Sequence, residues 1–341
     1  MVTIVLDLIA DICIEIFYIK VCLIMKHLII FFVLTSFFAF VPHAKYNNDE
    51  INTKVQLGEK LFFDPILSKD STLSCGSCHK PEYAFADNVA ISPGVGGKKG
   101  TRNAPSVMNM AFRSAFFYDG RAESLRDQVH FPIEDPLEMD LPYHDAVQRL
   151  QNHKIYSGLF NKIYTAKPNA ENLADAIAAF EESLETSNTE FDAWMTDKPN
   201  TMSASAIRGR ELFLSDKAKC FDCHFSPDFT VDEFKNIGLY DEKKYKDKGR
   251  FMITKNSSDL GKFKVPGLRN VAVTAPYMHD GSFATLEDVV DYYSDPFKFV
   301  STPINMDSTL LKPINFTQQE KDDLVAFLKS LTDKRFYQNK M

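Results

Sequence analysis

The feature that most constrains this chain is Cys75-Gly76-Ser77-Cys78-His79, a pattern that returns as Cys220-Phe221-Asp222-Cys223-His224. Two thiols three positions apart with an imidazole beside them suit one task. Both sulfurs bond covalently to the edge of a haem, and the histidine ligates its iron. A zinc ribbon needs its cysteine pairs about 15–20 residues apart, whereas these pairs lie in opposite halves of the chain. A redox dithiol has no use for a repeated histidine. Two covalently attached haem c groups are therefore expected, held by Cys75, Cys78 and His79 and by Cys220, Cys223 and His224, and 341 residues leave room for a core around each.

The surroundings of the motif are duplicated as well. Gly58-Glu59-Lys60-Leu61-Phe62 precedes the first copy and Gly209-Arg210-Glu211-Leu212-Phe213 the second. The repeated unit reads as helix, short loop, haem attachment. The expected fold is all-α, with short β ribbons at most: two cytochrome c-type domains, residues 45–195 and 196–341, joined by a linker at Asp197–Ser203. Leu57, Leu61 and Phe62 share one helical face, which Asp64-Pro65 terminates. Leu173, Ile177, Phe180 and Leu184 predict one long helix over 170–194. Thr317-Gln318-Gln319-Glu320 reads as a capping box before a terminal helix that buries Leu324, Phe327, Leu328 and Leu331. Residues 228–262 show little periodicity and are expected to form a solvated surface excursion, or the frame of a donor-docking site.

The first 44 residues differ in composition from the rest. Lys26-His27, the apolar run Leu28 to Val41 and the polar end near Pro42-His43-Ala44 have the sections of a secretory signal. Asp7, Asp11 and Glu15 do not suit the start of one, so synthesis is expected to begin at Met25; an uncleaved anchor is the alternative. Cys13 and Cys22 fall in this region, which assigns every cysteine of the mature chain to a haem motif and leaves no disulfide framework. Haem attachment of this kind takes place outside the cytoplasm, so a periplasmic location is expected. The net charge of -7 and the lack of a basic block argue against nucleic acid as a partner.

Three further stretches carry a resemblance: Thr101-Arg102-Asn103-Ala104-Pro105-Ser106-Val107, Phe117-Tyr118-Asp119-Gly120-Arg121-Ala122, and Ala275-Pro276-Tyr277-Met278-His279-Asp280-Gly281. Over nearly the whole mature chain, the sequence resembles the bacterial diheme cytochrome c peroxidases and their methylamine-utilisation (MauG-like) relatives. The resemblance implies that the first haem reacts with hydrogen peroxide and the second transfers electrons. It also implies that Glu138 is the catalytic glutamate and Gln128 the glutamine beside it. By pattern alone, Glu138 is one surface acid among 46 acidic residues.

Two positions depart from the peroxidase pattern. Val95, in the glycine-rich loop Ser92 to Gly100, stands where many of these enzymes carry a sixth-ligand histidine. Unless His130, His144 or His153 substitutes, the first iron should have an open side. The loop is expected near a haem face; a phosphate-cradling reading lacks the flanking strand and helix. Tyr118 stands where the family has a bridging tryptophan, and reads either as an electron relay or as a buried aromatic. For the second iron the sixth-ligand candidates are Met278, His279 and Tyr293, and the family count from His279 falls on Tyr293. A calcium ion is implied at Asn103, Thr274 and Pro276.

The expected function is a periplasmic peroxidase that reduces hydrogen peroxide with electrons from a small cytochrome c, a cupredoxin or another donor, as a monomer or homodimer. The alternatives are a MauG-like oxidase acting on a protein or other organic substrate, and a non-enzymatic diheme electron carrier.

Overall fold

Thr53 starts the helix Lys54–Phe63 in a computed structural model that describes residues 48–199 and 201–337. Its hydroxyl accepts from the Gln56 N–H, and the Gln56 side chain accepts from the Thr53 N–H at 3.1 Å. The helix buries Leu57, Leu61 and Phe62, as the spacing predicted, and stops at Asp64, whose carboxylate takes the Ile66 N–H at 2.9 Å. The signal region and the cysteines within it lie outside the described residues. Among the described residues, no helix is long and apolar enough to cross a membrane.

The helix Ala170–Glu182 packs across Lys54–Phe63, and in the second half Gln318–Ser330 packs across Ala204–Phe213 in the same way. A β-carbon on Gly58 would overlap the Ala176 carbonyl, with the carbonyl carbon only 2.6 Å away. One on Gly209 would overlap the Asp323 carbonyl, with its carbon at 2.5 Å. Only a residue without a side chain lets these backbones come so close. The rings beside the crossings match too. Phe62 meets Phe180 at 5.1 Å and 62°, and Phe213 meets Phe327 at 5.2 Å and 62°. Ser203 caps Ala204–Phe213, and Thr317 with Glu320 forms the expected capping box.

A second repeated device is a turn. Phe116 bridges to Ala122 around Asp119-Gly120, and Tyr277 bridges to Phe283 around Asp280-Gly281. A hydroxyl-capped helix follows each turn: Ser124 before Leu125–Gln128 and Thr285 before Leu286–Ser294. Outside the helices, the described regular structure is one antiparallel ribbon, Phe234–Lys235 against Phe263–Lys264.

Two expectations are corrected. The stretch 170–194 is not one helix: it ends at Glu182, where the Ser183 hydroxyl turns back to the Phe180 carbonyl, and Thr189 caps a separate helix, Glu190–Met195. Asn109 holds the break open, accepting from the Thr186 N–H at 2.8 Å. Residues 228–262 are a solvated excursion only in part, at 242–244 and 252–258. Asn236 and Tyr240 of the same stretch are buried, with the Asn236 amide bonded to the Leu260 and Ile304 carbonyls.

This lobe also binds the first half. Arg102 forks onto Asp247 at 2.7 and 2.9 Å and reaches Asp119 at 2.6 Å. Arg250 donates to the Asp119 and Gly120 carbonyls, and the Lys264 N–H to the Tyr118 carbonyl. Arg113 pairs with Asp228 at 2.7 Å.

Overpacking a tight contact costs about 1–3 kcal/mol. Gly58→Ala and Gly209→Ala are therefore each expected to lower stability at or above that range, because the obstructing atoms are backbone. Guanidinium unfolding of the holoprotein measures it, and an unchanged midpoint in either variant would contradict the crossing geometry.

Candidate active site

The first attachment motif occupies a single helical turn, Cys75–Cys78, which sets both sulfurs and the following imidazole on one short element. The second is a short 3-10 turn, Cys220–Asp222, that plays the same part. All four thiols are free, and burial pushes each above its ordinary pKa.

The histidines show what these motifs are built to hold. His79 Nδ1 lies 3.1 Å from the Phe85 carbonyl and 3.1 Å from that of Pro105; His224 Nδ1 lies 2.8 Å from the Phe229 carbonyl. A carbonyl only accepts, so Nδ1 carries the proton and Nε2 keeps its lone pair. Burial lowers the pKa of both imidazoles, which favours the neutral, ligating form. A histidine whose second nitrogen is held by a backbone carbonyl is arranged for a metal. Free thiols on an adjacent turn and a neutral imidazole with Nε2 free fit haem c at both positions.

Around the first motif the structure assembles Glu138, Arg121 and the glycine-rich loop. Burial holds the Glu138 carboxyl above the usual carboxylate range, with Asp135 adding to the shift and Arg121 opposing it. The Arg121 guanidinium sits 3.5 Å over the Phe117 ring and pairs with Asp119. Glu138 lies against the loop itself, its carbonyl accepting the Val95 N–H at 2.8 Å. Val95 is buried. Gln128 ends the helix Leu125–Gln128, which packs on Ala170–Glu182. The three candidate histidines have partners elsewhere: His144 is exposed beside Asp145, His153 edges against Tyr156, and His130 stacks on Phe131.

Tyr118 lies at the seam between the halves. Its phenol is pushed up by burial and by Asp280, with Arg102 acting in the opposite sense. On the second side, Tyr293 and Met278 pack against one apolar cluster that includes Phe283 and Tyr292. The Tyr293 phenol is raised by burial and then by Cys223 and Cys220, the two attachment thiols, which places it within electrostatic reach of the second motif. Tyr292 is engaged elsewhere, donating to the Ile237 carbonyl at 2.6 Å. His279 stacks on Phe263 at 3.9 Å. Its carbonyl accepts the Asn103 N–H, which brings Asn103 to the loop that also contains Thr274 and Pro276. Among the described residues no cluster of acidic, histidine or cysteine side chains could hold a metal ion. A cation at Asn103 would rest on amide and carbonyl oxygens.

A sequence profile described as di-haem cytochrome c peroxidase matches residues 52–200. Over 296 residues the chain is 37% identical to the methylamine utilization protein MauG of Methylorubrum extorquens, covering 85% of this chain and 81% of that protein. The chain belongs to the di-haem cytochrome c peroxidase family. Cytochrome c551 peroxidase of Nitrosomonas europaea is 35% identical over 282 residues, 81% of this chain and 79% of that one. Among solved structures, a MauG-like protein associated with microbial copper homeostasis superposes with a TM-score of 0.76 at 35% identity, covering 83% of this chain and 90% of that one. The diheme peroxidase BthA from Burkholderia thailandensis gives 0.74 at 26%, covering 83% and 86%. Family membership makes this a peroxidase-type oxidoreductase with haem c cofactors and peroxide as acceptor.

One residue of the peroxidase escaped the sequence reading. Glu181, 4% exposed, follows Phe180 on the crossing helix and occupies the place that Leu328 takes after Phe327 in the second half. Aligning the two crossings position by position would have exposed it. Burial pushes its carboxyl up to about 8, and Glu182 adds to the shift. A carboxyl raised on folding contributes fully below its unfolded pKa and loses that contribution as pH rises through the folded value. Between roughly pH 4.5 and 8 the wild type should lose stability by about 1.4 kcal/mol per pH unit from this group. Glu181→Gln should flatten the dependence; denaturant titrations at pH 5 and pH 9 that fall in parallel for the two proteins would refute this.

Proposed function

We propose that the chain is a periplasmic diheme peroxidase, built as two haem domains, residues 45–195 and 196–341, in which Glu138 handles the proton during hydrogen peroxide reduction at the first haem. When bound, the haems supply iron that exchanges electrons with peroxide at the first site and with a reductant at the second. The observation that carries the reading is Glu138 itself, a buried carboxyl above its ordinary pKa and within the field of Arg121, on the same side as the attachment motif's thiols. Such a group takes a proton from one peroxide oxygen and returns it to the other as water departs. Gln128 would help orient the peroxide, and Val95, which has no ligating atom, would offer the haem iron no bond.

Tyr293 would help hold the second haem through its iron, supported by its lying within electrostatic reach of Cys223 and Cys220. Tyr118 lies on the route between the haems, supported by its place at the seam. Its raised phenol makes loss of the proton costly, which ties electron passage there to proton movement. A calcium ion at Asn103, Thr274 and Pro276 would brace the same seam with hard oxygen donors. Electrons enter from a small cytochrome c or cupredoxin. The second reading, a MauG-like oxidase of a protein or other organic substrate, is favoured by Tyr293, because a phenolate stabilises the oxidised iron.

Glu138→Gln should lower the second-order rate with peroxide by about 10²–10⁴-fold, followed by stopped-flow absorbance of the holoprotein. In the wild type that rate should rise with pH through a limb displaced above the usual carboxylate range, because the basic form accepts the first proton, and the limb should vanish in the variant. A variant that keeps both rate and limb would refute the role. Tyr293→Phe should change the low-spin spectrum of the second haem while Met278→Ala leaves it intact; the reverse result would reassign the ligand to Met278.

A further inference from the structure

The glycine-rich loop, which in this chain has no ligand to offer iron, makes a different and direct contact. Residues 93–99 form a tight hairpin: Pro93 bridges to Lys99, the Gly94 N–H donates to the Lys98 carbonyl at 2.7 Å, and the Gly97 N–H to the Gly94 carbonyl at 2.9 Å. The hairpin lies on the segment that presents Glu138. A β-carbon on Gly94 would overlap the Leu137 carbonyl oxygen and stand 2.6 Å from the Leu137 carbonyl carbon and 2.8 Å from the Glu138 oxygen. The Val95 N–H donates to that Glu138 oxygen at 2.8 Å.

The rim of the contact is latched as well. Lys98 Nζ donates to the Pro136 carbonyl at 3.0 Å and to Asp140 at 3.1 Å, and Lys69 Nζ reaches the same Asp140 oxygen at 2.8 Å. The Lys69 N–H holds the Met139 carbonyl at 2.9 Å. Inside the segment, the Asp135 carbonyl accepts from both Glu138 and Asp140. The carbonyls of residues 136, 138 and 139 are thus all tied down from outside the segment, two of them by the hairpin.

We propose that the 93–99 hairpin is the positioning element for Glu138, with Gly94 setting how close the glutamate's backbone sits and the Lys69–Asp140–Lys98 bridge fixing its edge. Gly94 touches no reacting atom, so it is a positioning residue. The inference rests on the proton-transfer role given to Glu138 above. Misplacing a reacting group by about 1 Å can cost 10²-fold in rate. The obstructing atoms at Gly94 are backbone, so an added methyl group must displace the glutamate segment rather than a flexible side chain.

The test uses the holoprotein with two readouts: the second-order rate with hydrogen peroxide, and the rate at which cyanide, added as hydrogen cyanide, binds the ferric first haem. Cyanide binding also requires a base to remove a proton but does not require turnover. Gly94→Ala is expected to slow both by about 10–100-fold, with haem content unchanged. Gly100→Ala is the control, because a β-carbon there meets nothing within 4 Å; it should behave as wild type. Asp140→Asn should slow both rates several-fold, and Asp140→Glu should restore part of the loss. Wild-type rates in Gly94→Ala would overturn the proposal. If Gly94→Ala takes up no haem, the Asp140 pair decides: slowing with rescue supports the latch, and wild-type rates in Asp140→Asn overturn it. Glu138→Gln is measured alongside. If it loses neither rate the proton-transfer reading itself fails, whereas a loss in Glu138→Gln without one in Gly94→Ala sinks only the positioning role.

Discussion

The structure depends on bare backbone meeting backbone. At Gly58 and Gly209 a missing side chain lets one helix sink onto the carbonyl of another, and the phenylalanine pairs beside each crossing keep the same spacing and tilt in both halves. Those crossings fix the walls against which the attachment turns and their imidazoles are set. Orientation of His79 and His224 then follows from carbonyls of residues that succeed them in the chain, Phe85 and Pro105 for the first and Phe229 for the second. The same kind of contact recurs at Gly94, where it serves the reacting side of the molecule instead of the scaffold.

Much of this was legible from residues. The two Cys-x-x-Cys-His motifs, the Gly-x-x-Leu-Phe repeat and the Thr317 capping box carry their own geometry, because each depends on interactions between residues close in sequence. What was not legible depends on distant partners. The break after Glu182 needs Asn109, far upstream, to accept the Thr186 N–H. The 228–262 lobe lacks periodicity because side-chain amides and isolated buried tyrosines, rather than an apolar stripe, hold it together. Glu138 and Tyr293 could be named only through family resemblance. Nothing in their own neighbourhoods announces that one lies within reach of the Arg121 charge and the other within reach of the second pair of thiols.

The duplication is informative where it fails. Tyr118 and His279 occupy matching places in the two Asp-Gly turns, Phe117 matches Met278, and Glu181 matches Leu328. The first attachment turn lies within electrostatic reach of Glu138 and Glu181, and the second within reach of Asp222, Asp307 and Glu233 and beside the apolar cluster that Tyr293 packs against.

The Arg102 fork makes the two halves depend on each other. A guanidinium stays charged at any pH the protein would meet, and this one is largely shielded, with Asp247 contributed by one half and Asp119 by the other. Separating the halves would leave Arg102 with Asp119 alone and Asp247 without its guanidinium, and shielded charges that lose a partner are strongly unfavourable. The two halves are thus joined by a shielded charge network that neither half completes alone.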